Sequence, residues 1–178
     1  MNITNIFKAG SIVLLAFLSF TFNANAQRGK KKADKETVAW RYELEAVATG
    51  VSGTYQVKVW SYSRNVETAM EQAKKNAVHG IIFKGFPDKG DVKGQKPIAT
   101  NPNIDEQNKD FFEEFFKTGG GDYMKFVTLA NNGQIAPQDR IKISKKEYKI
   151  GIVVSVNKSE LRKYLEKAGI VRGLSDGF

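Results

Sequence analysis

Residues 38–81 read VAWRYELEAVATGVSGTYQVKVWSYSRNVETAMEQAKKNAVHGI, and the change of period inside this stretch decides the fold. Val38, Trp40, Tyr42, Leu44 and Ala46 alternate with Arg41, Glu43 and Glu45, the period of two that marks a half-buried strand. Gly50-Val51-Ser52-Gly53 supplies a turn. Thr54 to Ser63 then repeats the alternation with Tyr55, Val57 and Val59 on one face, so a hairpin is expected. After Asn65, a plausible helix cap, the period becomes 3.6. Val66, Ala69, Met70, Ala73, Ala77 and Ile81 form a stripe, with Glu67, Glu71, Lys74 and Lys75 opposite. The alanines let this helix lie close across the hairpin. It should end near Phe83 to Gly85, because Pro87 forbids continuation.

Downstream, the pattern predicts a long loop over 84–102, which holds Gly85, Pro87, Gly90 and Gly94. Loops of more than ~12–15 residues are uncommon in compact domains and often bind something. Asn103 to Lys117 reads as one well-defined helix. Asn103 and Glu106 occupy the positions of a capping box, and Asp105 adds charge at the positive end of the macrodipole. Ile104, Phe111, Phe112, Phe115 and Phe116 share one arc; Glu106, Asp110, Glu113, Glu114 and Lys117 share the other. Gly119-Gly120-Gly121 closes it. Tyr123 to Ala130 alternates and predicts a third strand, and Asn131-Asn132-Gly133 a turn. Arg140 to Ser144 and Tyr148 to Val156 predict two more strands, the second apolar enough for a central position. Asn157 and Glu160 cap a last helix with Leu161, Tyr164, Leu165 and Ala168 inward, closed by Gly169. The expected architecture is a single α+β domain over 38–178. It has an antiparallel sheet of about five strands with two or three helices on one face.

Upstream, Lys8 precedes the apolar run Ile12 to Leu18, continued by Phe20 and Phe22. The segment ends on Ala24-Asn25-Ala26, the small-x-small form of a signal-peptide cleavage site. Residues 1–26 are therefore expected to be a signal peptide cleaved near Ala26, placing the mature chain in the periplasm or outside the cell. Its apolar core of ~12 residues is short for a membrane span, which needs ~20. Residues 27–37, including Arg28, Lys30, Lys31 and Lys32, form a basic arm. It is a solvated spacer or an electrostatic tether.

Lys8 is the leader's only charge, so the mature chain would carry one positive charge fewer than the +9 of the full sequence. That excess favours anionic surfaces without choosing among them. The sequence has no cysteine. This excludes a disulfide framework, a thiolate nucleophile and the lipid-bearing cysteine of a lipoprotein. One histidine, His79, falls on the flank of the alanine stripe and reads as a boundary residue rather than a catalytic base. With one imidazole, a zinc or copper centre would need carboxylates almost alone, so no metal or other cofactor is expected. Asp88 and Asp91 lack the spacing of a calcium loop.

The acidic arc of residues 106–114 reads as a solvated face rather than a glycosidase pair. Gly119 to Gly121 follows a helix, the wrong side for a phosphate loop, and no nucleophile elbow or zinc-protease motif occurs. No catalytic residue is nominated. The candidates left are surfaces. Arg140, Lys142, Lys145, Lys146 and Lys149, with the basic arm, could meet an anionic polymer or membrane surface, although edge-strand lysines also serve to block aggregation. Phe111, Phe112, Phe115 and Phe116 form either core or a partner surface.

Ala69, Ala73 and Ala77 in a helix after a polar strand, followed later by YKIGIVVSV at 148–156, carry a resemblance. The order resembles the N-terminal domain of the flagellar assembly T-protein and related outer-membrane lipoproteins. It covers about half of the mature chain. The phenylalanine helix and the missing lipid-bearing cysteine set this sequence apart, and no binding residue transfers. The resemblance implies an accessory or scaffolding role in the envelope, not catalysis. An envelope protein is the expected partner, and no specific nucleic-acid binding is expected. The remaining alternatives are a polyanion- or glycan-binding module and an enzyme with a carboxylate or lysine site.

Overall fold

The computed structural model describes residues 40–173 except 52, together with 32, 33 and 35. Residues 1–26, expected to be a signal peptide, most of the expected basic arm and the last five residues lie outside them. Strands β1 (Tyr42–Thr49) and β2 (Thr54–Ser63) form the expected antiparallel hairpin, pairing Tyr42 with Ser61 and Ala46 with Val57. Its turn is closed by Gly50 N–H to Thr54 O at 2.8 Å and Thr54 N–H to Val51 O at 3.1 Å. Helix α1 (Val66–Phe83) follows. Two short helices, α2 (Ile104–Gln107) and α3 (Lys109–Phe115), precede β3 (Val127–Leu129), β4 (Arg140–Ser144), β5 (Glu147–Asn157) and α4 (Lys158–Lys167). The five strands make one antiparallel sheet in the order β1-β2-β5-β3, with β4 also paired to β5. The fold is α+β.

Register explains the core. Pairing Val57 with Val154, Val59 with Ile152 and Ser61 with Ile150 sends the odd positions of β2 and the even positions of β5 to the same face. Val57, Val59, Ile150, Ile152, Val154 and Val156 are completely buried there. Ala69, Ala73 and Ala77 of α1 are completely buried as well. Small side chains bring the helix axis close to the sheet. At Gly80 an added Cβ would collide with Leu44 and come within 3.2 Å of Tyr42. A polar line of Thr68, Gln72 and Asn76 runs beside the alanines, and Asn76 Nδ2 donates to Ser61 Oγ at 3.2 Å.

Asn65 caps α1 by accepting from Glu67 N (2.8 Å) and Thr68 N (3.3 Å). Asn65→Ala should cost about 1 kcal/mol, read as a lower urea midpoint with an unchanged m-value.

Four expectations need correction. The helix expected over 103–117 is broken at Asn108 (φ −124°, ψ 38°), whose Nδ2 donates to Ile104 O at 2.9 Å. Side-chain bonding to the local backbone is how asparagine interrupts helices. The capping box is also absent, because Asn103 makes no side-chain cap and instead donates its backbone N–H to Asn101 Oδ1. The third strand shrinks to Val127–Leu129, and Asp122–Phe126 is a 3₁₀ turn. That turn places Tyr123 and Phe126 on one side, both buried, where an alternating strand would send one of them outward. Lastly, Lys75 and His79, expected on the exposed side and the boundary of α1, are buried at 7% and 8% exposure. The aromatic segment α2–α3 packs against this flank of α1, with Phe112 at 5.1 Å from Phe83 and Phe116 at 5.8 Å from His79.

The excursion over 84–102 is irregular but well anchored. Phe86 and Gln95 exchange backbone hydrogen bonds at 3.0 and 2.9 Å. Its returning limb donates Ile98 N–H to Ile81 O (3.1 Å) and Ala99 N–H to Ile82 O (2.9 Å). These bonds satisfy carbonyls that a helix end otherwise leaves unpaired.

Candidate functional site

The groove with the most chemistry lies on the covered side of α1. Helical spacing places Lys75, His79 and Phe83 in one row, four residues apart. Trp40 enters from the chain preceding β1, and Phe112 and Phe116 approach from α3. Together they line a groove of about 510 Å³, with Asp105, Glu106, Lys109, Glu113 and Lys117 around it. Trp40 stacks on the imidazole with ring centres 3.7 Å apart and planes 15° from parallel. Its φ of 44° is in the left-handed region, which a bulky side chain avoids at a cost of order ~1–3 kcal/mol. Stacking on His79 and edge contact with Phe116 at 5.2 Å hold it there.

Beneath Trp40, the Tyr42 hydroxyl and His79 Nδ1 share a 2.6 Å hydrogen bond. Burial foremost, with the Lys84 and Lys75 charges acting in the same direction, lowers the His79 pKa to about 3. Burial also raises the Tyr42 hydroxyl well above its ordinary value. Both partners are therefore neutral near pH 7. With the hydroxyl donating, the ring proton resides on Nε2. A base this weak has little driving force to take a proton from a substrate. The groove offers an aromatic stacking surface.

The opposite face of the sheet carries a lattice of ion pairs around Trp60. Its ring lies against Gly151, where an added Cβ would approach it at 3.0 Å, and its Nε1 donates to Glu45 Oε1 at 2.8 Å. Glu45 also pairs with Lys89, and these contacts hold its carboxyl below the usual range. Lys58 pairs with Asp139 at 2.8 Å, and Arg41 lies 3.8 Å over the Tyr62 ring while reaching Glu147 at 3.2 Å.

The basic residues nominated from the sequence separate into three groups. Arg28, Lys30 and Lys31 lie outside the described residues. Lys149 is withdrawn from the basic cluster: it pairs with Glu43 at 2.7 Å, and that bond raises its pKa. Arg140, Lys142, Lys145 and Lys146 are all exposed on β4 and its turn, and Arg140 lies 4.6 Å over the Tyr148 ring. The structure also brings Lys32 and Lys146 together with Arg41 and Arg64 around a hollow of about 460 Å³.

Among the phenylalanines, Phe112, Phe115 and Phe116 are 3–7% exposed and Phe111 is half-buried. They are spent mainly on packing, stacking Phe111 on Phe115 (5.7 Å) and turning Phe115 edge-on to Phe116 (4.9 Å). Phe112 and Phe116 present an edge to the groove, and Phe111 and Phe115 line a separate hollow beside Tyr164.

Two features escaped the sequence. The i, i+4 spacing of Lys75, His79 and Phe83 was the available signal for the groove. The alternation Arg140-Ile141-Lys142-Ile143 was the signal for the second. Ile141 and Ile143 are 45% and 48% exposed, on a strand whose five residues are all exposed.

No protein-family model, no curated protein and no solved structure matches this chain. Among the described residues, no helix is long and apolar enough to cross a membrane.

Proposed function

We infer that this is an exported, non-catalytic accessory or scaffolding protein whose work is to bind another protein of the cell envelope. One observation carries the binding role. Ile141 and Ile143 stand in water, near-neighbours on a sheet edge that no other strand covers among the described residues. An edge strand without a role is ordinarily kept short, charged or shielded. Lys142 supplies such a charge, yet the two isoleucines beside it undo the protection. The neutral Tyr42–His79 pair favours binding over acid–base chemistry, and the apolar leader supplies the address. The resemblance to flagellar and outer-membrane envelope domains points the same way.

Affinity recovery from envelope fractions, with the full mature chain as bait, should yield a protein in stoichiometric amount that survives moderate salt. The hollow of Lys32, Arg41, Arg64 and Lys146 favours a second reading, a polyanion-binding module. Capture that consists only of anionic polymer and vanishes on raising salt from 0.1 to 0.5 M would replace the first reading by the second.

A further inference from the structure

We propose that the partner contributes an acidic, extended segment that joins the sheet as a sixth strand along the free edge of β4. The inference rests on the protein-binding reading above and specifies the place, the geometry and the chemistry of the partner.

Geometry comes first. Among the described residues β4 pairs with β5 alone, from Arg140 opposite Ile150 to Ser144 opposite Glu147. β3 occupies a different stretch of β5, opposite Val154 to Val156, so the outer side of β4 is left without a strand among the described residues. A strand of five residues spans ~17 Å, enough for several main-chain hydrogen bonds, and addition to an open edge is a recurring mode of peptide recognition. The backbone groups along this edge lie in exposed residues throughout.

Side chains then select the occupant. Ile141, opposite Lys149, and Ile143, at the irregular step of the register, would be covered by an arriving strand. Arg140 and Lys142 flank Ile141, and Lys145 and Lys146 form the adjoining turn, all exposed. Lys146 also borders the hollow that gathers Lys32, Arg41 and Arg64 with a single acid, Glu147, paired to Arg41, so net positive charge continues beyond the end of the strand. Acidic residues alternating with branched apolar ones complement this surface position by position.

A second copy of the chain fits badly. Antiparallel self-pairing centred on Lys142 would set Lys142 against Lys142, and parallel pairing in register would repeat every like-charge contact. An anionic membrane would satisfy the cations but leave the main-chain edge unpaired. Two isoleucines are also a small apolar area for holding a protein to lipid.

The test uses the full mature chain and three probes: an eight-residue peptide alternating glutamate with valine, the same peptide methylated on alternate backbone nitrogens, and vesicles containing phosphatidylglycerol. The unmethylated peptide should bind one per chain. Backbone methylation, which keeps the charges and removes the strand's donors, should weaken binding at least tenfold. So should the double variant I141T/I143T and, separately, Lys142→Glu. All three altered side chains are exposed, and unchanged far-UV circular dichroism confirms that the variants fold. Equal binding of the methylated peptide would overturn the proposal in favour of charge attraction alone. Vesicle binding that ignores the isoleucines, with no peptide binding, would overturn it in favour of a lipid surface. The envelope experiment separates the two levels. If I141T/I143T still recovers the partner, the edge is wrong and the protein-binding role stands. If the wild-type chain recovers no protein while the peptide binds as described, the edge stands and the envelope role fails.

Discussion

Between pH 7 and pH 4.5 the folded protein should lose about 2–3 kcal/mol of stability, and a His79→Gln variant should lose far less. The sign follows from the two protonation equilibria. Unfolding returns His79 to the ordinary imidazole range near 6.5, whereas burial and the Lys84 and Lys75 charges hold the folded value at about 3. Below pH 6.5 the unfolded chain takes up a proton that the native chain refuses, so stability is full above 6.5 and declines as pH falls. The slope approaches about 1.4 kcal/mol per pH unit and ends near pH 3. His79 is the chain's only histidine, which leaves this interval free of other imidazoles. Ion-paired carboxylates such as Glu45 and Asp122 have lowered values, so their contributions begin to fade only as pH enters the ordinary carboxylate range, at the acid end of this interval. Urea denaturation at pH 7, 6, 5 and 4.5 reads the slope. A wild-type curve as flat as the variant's would mean that the imidazole is accessible to protons. Glutamine keeps a hydrogen-bonding partner for Tyr42, so the comparison does not rest on a variant with an abandoned hydroxyl.

Gly85→Val should be more damaging, by about 3 kcal/mol or more, and could leave little folded protein at 37 °C. Gly85 sits at φ +67°, immediately beyond α1, with its N–H bonded to Gly80 O at 2.7 Å. The left-handed conformation alone costs a side-chain-bearing residue roughly 1–2 kcal/mol, and more for a β-branched one. An added Cβ would also run into the Gln95 carbonyl oxygen and meet the Pro97 nitrogen at 3.0 Å. Those are backbone atoms, so no rotamer change relieves the clash. Moving the returning limb would break the bonds from Ile98 and Ala99 to the last carbonyls of α1 and expose Phe86, at present 6% accessible. Circular dichroism with thermal melting measures the effect. A shift of only a degree or two would show that the excursion moves independently of the helix end.

Period and punctuation made the sheet legible. The alternations around Val57 and Ile152, the alanine stripe and the caps at Asn65 and Asn157 are local signals that agree with the tertiary arrangement. What failed was set by contacts distant in sequence. Nothing local distinguishes an Asn108 that continues a helix from one that bonds back to Ile104 and ends it. The 3₁₀ turn at Asp122–Phe126 depends on Tyr123 and Phe126 finding a common core, which alternation cannot encode. His79 looked peripheral because a helix wheel knows one covered face, and α1 has two. The long excursion read as loose because its hydrogen bonds go to the end of α1, more than a dozen residues upstream. The basic cluster was visible as composition, but the loss of Lys149 to Glu43 required strand order. The two exposed isoleucines were visible too, as alternation, while the absence of a covering element was not.

The chain's two tryptophans, set on separate faces of the molecule, give it two native optical reporters. Trp40 lies flat against an imidazole in the groove; Trp60 rests on Gly151 across the sheet, within the ion-pair lattice. Ring replacement at one position leaves the emission of the other to record its own neighbourhood. Occupancy of the groove and events on the outer sheet can thus be followed as separate signals, without attaching a label to either surface.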